Sequence, residues 1–298
     1  YRRRIRRFAE MGYLEVWYNR IDDQAVMDTL SAKARKRADR ITAKAREKSH
    51  VQVLEKMTEQ VNGEHRIIEE VPLIVRETHT EGGLPINNAL DLMLRAYIES
   101  LSYDRRKLLS RYRIVDSARK VVGVGSVGTG CWVILLQGLD NDDPLFLQVK
   151  QAQASVLAPY VSGKMPFDSH GRRVVVGQRL TQGAPDIFLG WGEALDHHFY
   201  VRQLADMKGS VSFDAENADQ LETFDEYCGL CGWALALAHA KSGDPAMIAG
   251  YCGNSDELDE AIAKFALAYA KQTDKDYDAL EKARRSGRIR AAAETMVK

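Results

Sequence analysis

The sequence predicts an α+β protein in which a small antiparallel-sheet lobe is flanked by helical segments. Three observations carry this. Apolar residues recur at helical spacing through residues 1–60 and 87–113. Between 120 and 204, short runs rich in Val, Ile, Leu and aromatics are bounded by Gly, Asp and Pro, as strands are. Beyond Asp219 the chain returns to long segments without proline. Helices, then mainly strands, then helices is the layout of segregated layers.

Taken in order, Ile5, Phe8, Tyr13, Val16 and Trp17 set the first helical pattern. The stretch 31–48 is rich in Ala, Lys and Arg, lacks Gly and Pro, and carries eight basic and two acidic residues. Its composition favours helix. It is read as a solvated face, with phosphate contact as the alternative. Residues 62–86 hold Asn62-Gly63, Pro72, Gly82-Gly83 and Pro85, which predict turns and short extended pieces. A helical pair at 87–113 uses Leu90, Leu94, Tyr97, Ile98 and Leu101. Strands are expected at 120–122, 131–137, 145–150 and 199–204, interrupted by a helix at 171–182. Helices at 221–240 and 256–282 close the pattern. The expected division is a mainly helical region at 1–115, a β-rich lobe at 116–205 and a helical region at 206–298.

The chain has 298 residues, 45% of them hydrophobic, with 42 Lys+Arg against 42 Asp+Glu and only 7 Pro. This excludes collagen-like, disulfide-scaffold and wholly disordered classes. Residues 1–116 hold 23 Lys+Arg and 18 Asp+Glu, and the remainder 19 and 24. That asymmetry is too small to call for a nucleic-acid partner, which needs clustered cations. The longest apolar runs, such as Trp132-Val133-Ile134-Leu135-Leu136, fall far short of a membrane span. Four cysteines fit a reducing, cytoplasmic setting. The chain starts at Tyr1 without an apolar leader, and is expected to be a fragment.

The most informative segment runs from Lys120 to Lys150. Gly123-Val124-Gly125-Ser126-Val127-Gly128 is a G-x-G-x-x-G pattern, in which glycines let backbone N–H groups approach phosphate oxygens. In dinucleotide-binding units the glycines open a helix. Here Cys131-Trp132-Val133-Ile134-Leu135-Leu136 follows, a strand pattern, then a turn at 138–144. A glycine loop between antiparallel strands, with a third strand ending in Val149-Lys150, matches the protein-kinase layout, where the loop covers ATP and the lysine reaches its phosphates. Lys150 lies 22 residues after Gly128, room for strand, turn and strand. The competing reading is a glycine-rich hairpin with a solvent-facing lysine.

The stretches RKVVGVGSVGTGCWVILLQG, DDPLFLQVK, FYVRQLADMKGS, CGWALALAHAKSGD and IAGY, together with LEVWYNRID at 14–22, resemble a bacterial family known only as domain of unknown function 2252. The resemblance covers nearly the whole chain. It implies a kinase-like fold of the aminoglycoside-phosphotransferase type, with catalytic-loop and metal-binding motifs upstream of the segment matching Tyr1. The order would then be circularly permuted and this chain N-terminally truncated. ATP and Mg are the implied cofactors, the Mg through motifs outside this chain, so no catalytic or metal-ligating residue is assigned here. The implied nucleotide-binding set is Gly123, Gly125, Ser126, Val127, Gly128, Lys150, Arg202, Asp206 and Lys208, with Tyr200–Gly209 as the hinge. The phosphate acceptor is unassigned.

Other groups are weighed against this set. A kinase lysine is paired with a Glu, yet no Glu occurs between Gln151 and Gly192. Gln151 and Val176 stand where relatives have Glu, and Asp186 is the substitute considered. A non-catalytic nucleotide-binding or protein-interaction module is therefore the alternative function. His239 and Asp244 resemble a catalytic loop, but Ala249 stands where its Asn belongs, so a helix end is expected. Cys228-Gly229-Leu230-Cys231 is read as helix-face core, not zinc. His197-His198 is expected in an exposed hairpin turn.

Overall fold

The computed structural model describes residues 1–298 except 48–49, 81, 122, 124–127, 141–142, 164, 205–210, 212, 214–216 and 291–298. It is an α+β structure with two antiparallel sheets. Five helices open the chain: α1 (Arg2–Ala9), α2 (Tyr13–Tyr18), α3 (Asp23–Thr29), α4 (Ala32–Glu47) and α5 (His50–Met57). The expectation of helix throughout 1–60 is corrected at its end, where Thr58 begins a hairpin of β1 (Thr58–Val61) and β2 (Glu64–Ile67). Asn62 and Gly63, at φ 53° and 81°, supply its turn.

The main sheet has six strands: β3 (Ile74–Val75), β4 (Arg113–Lys120), β5 (Cys131–Gln137), β6 (Pro144–Ala152), β7 (Gly190–Ala194) and β8 (His197–Gln203), in the order β3-β4-β5-β6-β8-β7. Between β3 and β4 lie α6 (Ile86–Ser100) and α7 (Tyr103–Leu109), and α8 (His170–Thr181) sits between β6 and β7. The chain then forms α9 (Ala218–Ser242), α10 (Pro245–Cys252) and α11 (Glu257–Arg285).

Two of these strands depart from expectation. β4 starts at Arg113, seven residues before the expected strand, because its polar sequence RIVDSARK hides its pattern. Only Asp116 and Ala118 are buried there, and the sheet neighbour rather than propensity holds it extended. β7, outside the expected strands, carries Gly190 and Gly192 where packing needs them. A Cβ at Gly192 would lie 2.4 Å from the Met93 carbonyl oxygen, and one at Gly190 would lie 2.8 Å from the Tyr97 ring. Glycine there lets α6 lie directly on the sheet.

One face of the sheet carries Ile134, Leu136, Leu145, Leu147, Val149 and Val201 against Met93, Leu94, Tyr97 and Leu101. Tyr97, fully buried, donates its hydroxyl to the Phe188 carbonyl at 2.8 Å, and burial pushes its pKa far up. Each such apolar side chain contributes about 1.5–3 kcal/mol. The other face packs Val133, Leu135, Phe146 and Leu204 against Leu54, Ile67 and Ile74. A third core joins α1 and α9 through Ile5, Phe8, Trp233, Ala236, Leu237 and Ala240.

This helical core corrects the cysteine reading. Cys228 and Cys231 lie on α9 but are exposed, off the 233-236-237-240 stripe, whereas Cys131 and Cys252 are buried. Among the described residues no group of His, Cys, Asp and Glu is arranged to hold a metal ion. Asp244 is the N-cap of α10, accepting from Ala246 and Met247 N–H at 2.9 and 3.1 Å ahead of Pro245. His239 Nδ1 lies 2.7 Å from the Tyr1 hydroxyl. Both residues hold helices together. No described helix is long and apolar enough to cross a membrane.

Candidate functional site

Strand alternation puts every second residue on one face, and the register across β5, β6 and β8 sorts the second face into three rows. At the glycine-loop end, Cys131 pairs with Lys150, and Lys150 with Tyr200. Lys120, one residue beyond the Arg119↔Trp132 pair, extends this row on β4. The next row is Ala118, Val133, Gln148 and Arg202. The innermost is Asp116, Leu135 and Phe146, with Leu204 donating its N–H to the Phe146 carbonyl at 2.8 Å. Rows lie roughly 7 Å apart, two residues of strand rise.

The rows differ in chemistry. Leu135, Phe146 and Leu204 share a buried cluster with Leu54 and Ile67, which cover them. Asp116, also buried, accepts hydrogen bonds from Ile67 N–H, Ser117 N–H and Arg76, at 2.8, 2.9 and 2.8 Å. The loop-end row is less closed: Lys120, Lys150 and Tyr200 are half-buried around a buried Cys131. In the middle row Gln148 is 1% exposed, and its Oε1 accepts from Arg202 Nε at 3.1 Å. Its Nε2 has no partner among the described residues. An unpaired buried donor costs about 1–3 kcal/mol, so a group kept in that state calls for an explanation.

Electrostatically the patch is cationic. Lys120, Lys150 and Arg202 all act on Cys131, pulling its pKa down, although burial outweighs them and holds the thiol above its usual range. Burial likewise raises Tyr200, against Arg202. Burial lowers Lys120, which Glu70 partly offsets. Among the described residues neither Lys150 nor Arg202 has a carboxylate within ion-pair distance. α8, which packs beside this face through Trp191, has the sequence HGRRVVVGQRLT and no acidic residue. The patch therefore offers N–H donors and positive charge, the complement of an oxyanion.

A cavity of about 910 Å³ lies against the opposite face, lined by Trp132, Val149, Gln151 and Phe199 and bordered by Gly128, Thr129 and Gly130. Glu77 on its wall accepts from Trp132 Nε1 and Arg119, each at 3.1 Å. Lys150 does not line it, since alternation turns that side chain to the cationic face. The glycine segment thus stands at the sheet end between two differently built surfaces.

Residues 1–283 match a family described as "Uncharacterized protein conserved in bacteria", DUF2252. The chain belongs to that family. No curated protein and no solved structure matches it.

In this DUF2252 protein the sequence-derived candidates divide into three groups. Lys150 and Arg202 are brought together on one face, in adjacent rows. Gly123 and Gly128 flank the loop, both exposed, with Gly128 at φ 80° where glycine is at ease. Gly125, Ser126, Val127, Asp206 and Lys208 lie outside the described residues. Asp186 is not the lysine's partner: its carboxylate accepts from Phe188 N–H and Gln203 N–H, at 2.8 and 2.5 Å. The two histidines are also corrected. The turn is Leu195-Asp196, both at positive φ, while His197 and His198 belong to β8. His198 Nδ1 accepts from the His170 N–H at 2.9 Å, fixing the start of α8.

Sequence reasoning missed Lys120, Cys131 and Gln148 as site residues, and named Tyr200 only as the start of the hinge. Period-two counting from Lys150 would have reached Gln148. The others needed the strand register.

Proposed function

We propose that this protein is the nucleotide-gripping part of a kinase-like phosphotransferase, holding ATP phosphates on its cationic sheet face. The observation that carries the reading is the loop-end row: Lys120, Cys131, Lys150 and Tyr200 side by side where the glycine segment joins β4 to β5. Supporting it is the order of parts: strand, glycine segment, strand, lysine-bearing strand, helix, hairpin. Protein kinases use that order of loop and lysine to hold ATP. The helices of residues 1–115 precede the grip and those of 206–298 follow it, which in a kinase would be a permuted order.

In this reading Lys150 and Lys120 neutralise phosphate charge, Arg202 contributes its planar fork, and Gly123 and Gly128 place no Cβ in the way of a phosphate at their own positions. The described residues do not supply a ligand set for Mg, so no step is assigned to it. ATP use fits a cytoplasmic protein. One observation favours a second reading, a nucleotide-binding module without catalysis: α8 has no carboxylate to fix the lysine.

Calorimetric titration with ATP tests the proposal. The wild type should bind, and Lys150→Ala should bind at least about tenfold more weakly, the loss of one charge-assisted contact. Equal affinity in both proteins would remove Lys150 from the site. Phosphate release in steady state, abolished by the same substitution, would decide for catalysis over the module.

A further inference from the structure

Resting on the nucleotide reading, we infer that Gln148 and Arg202 form an oxyanion seat inward of Lys150, so that the phosphates, not the base, occupy the inner end of the site. Three observations converge. The first is the orphaned Gln148 amide. Its Oε1 is committed to Arg202 Nε at 3.1 Å, which leaves Nε2 as a buried donor, unpartnered among the described residues, on a side chain 1% exposed. A fixed, desolvated donor selects an acceptor, and beside a guanidinium that acceptor is anionic.

The second is the closed inner row. Leu135, Phe146 and Leu204 lie in one buried cluster with Leu54 and Ile67. Among the described residues no slot for a planar base continues past Gln148 on this face, because the protein's own core fills it. The deepest part of a ligand must therefore meet Gln148 and Arg202. The third is the residue type. Kinases carry Ala two residues before the lysine in V-A-I-K. A methyl group there suits an aromatic base, whereas Gln148 presents an N–H.

The ligand class is an extended polyphosphate with its charge laid along β6, from Lys150 to Gln148 and Arg202. A nucleoside attached to it would point toward the glycine end. The alternative source of the same chemistry is free polyphosphate.

Calorimetry with ATP, inorganic tripolyphosphate and adenosine, on the wild type, Gln148→Leu, Gln148→Glu and Arg202→Gln, separates these outcomes. Folding of each variant is checked by thermal unfolding. Tripolyphosphate should bind the wild type and compete with ATP. Gln148→Leu and Arg202→Gln should each weaken it at least about tenfold, and Gln148→Glu more, by adding an anion of the same shape. Tighter binding of ATP than of tripolyphosphate assigns the site to nucleotides, and equal binding assigns it to the polyphosphate chain. If ATP binds but the three variants leave tripolyphosphate affinity unchanged, the seat is wrong and the nucleotide reading stands. If neither ATP nor tripolyphosphate binds the wild type, both fall together.

Discussion

The two faces of the six-stranded sheet are made from the same strands and do opposite work. On one, Ile134, Leu147, Val149 and Val201 meet α6 in a closed apolar core around Tyr97. On the other, the alternate residues of those strands pass from a closed row through Gln148 and Arg202 to half-buried lysines. In β6 the contrast appears within three residues: Val149 faces the core, and Gln148 and Lys150 face the patch. Period-two alternation lets a single strand supply stability and charge without compromise. The first face hides its polar backbone behind glycine-permitted contact, while the second retains an unsatisfied amide.

Substitutions that separate the faces should differ in kind as well as size. Leu147→Ala, in the closed core, should cost about 3–4 kcal/mol of stability by denaturant unfolding. A loss below about 1 kcal/mol would mean that this face is not the principal core. Asp116→Ala should cost about 2–3 kcal/mol, because it strands the Ile67 N–H and the Arg76 guanidinium at the closed end of the second face. Lys150→Met should change stability by no more than about 0.5 kcal/mol, while removing most ATP affinity. If it destabilised like Leu147→Ala, the patch would be part of the core and not a site.

The smallest effect concerns Cys131. At neutral pH a thiol reagent should modify Cys228 and Cys231 promptly, and Cys131 and Cys252 only on unfolding. Burial raises Cys131, so the native thiol keeps its proton after the unfolded one has lost it. That contribution to stability is complete below the ordinary thiol range and fades as pH rises through the raised value. As pH rises above the ordinary thiol value of about 8.5, the wild type should lose slightly more stability than Cys131→Ala, measured by chemical unfolding at each pH.

Part of the fold is legible in the amino-acid order alone. The run Cys131–Gln137 is rich in branched and aromatic residues and is a strand with those bounds. Long helices without proline after 219 are equally plain. β4 and β7 are not legible, because Asp, Ser, Arg and Gly carry no strand signal and are held extended only by their neighbours. The strand positions of His197 and His198 escape a sequence reading for a related reason: a turn at Leu195-Asp196, without glycine, gives no local sign.

By itself the sequence determined the order of helix and strand, the glycine segment and its downstream lysine, because these follow from local propensity and spacing along one chain. Which residues share a face with that lysine was decided only by tertiary structure. Lys120, Cys131, Gln148, Tyr200 and Arg202 come from four different strands. Their meeting depends on the β4-β5-β6-β8 order and on register, both set by the burial of the opposite face. The innermost row is closed by Leu54 of α5 and Ile67 of β2, far away in sequence. No local pattern encodes which end of a sheet face will be filled by the core and which left open.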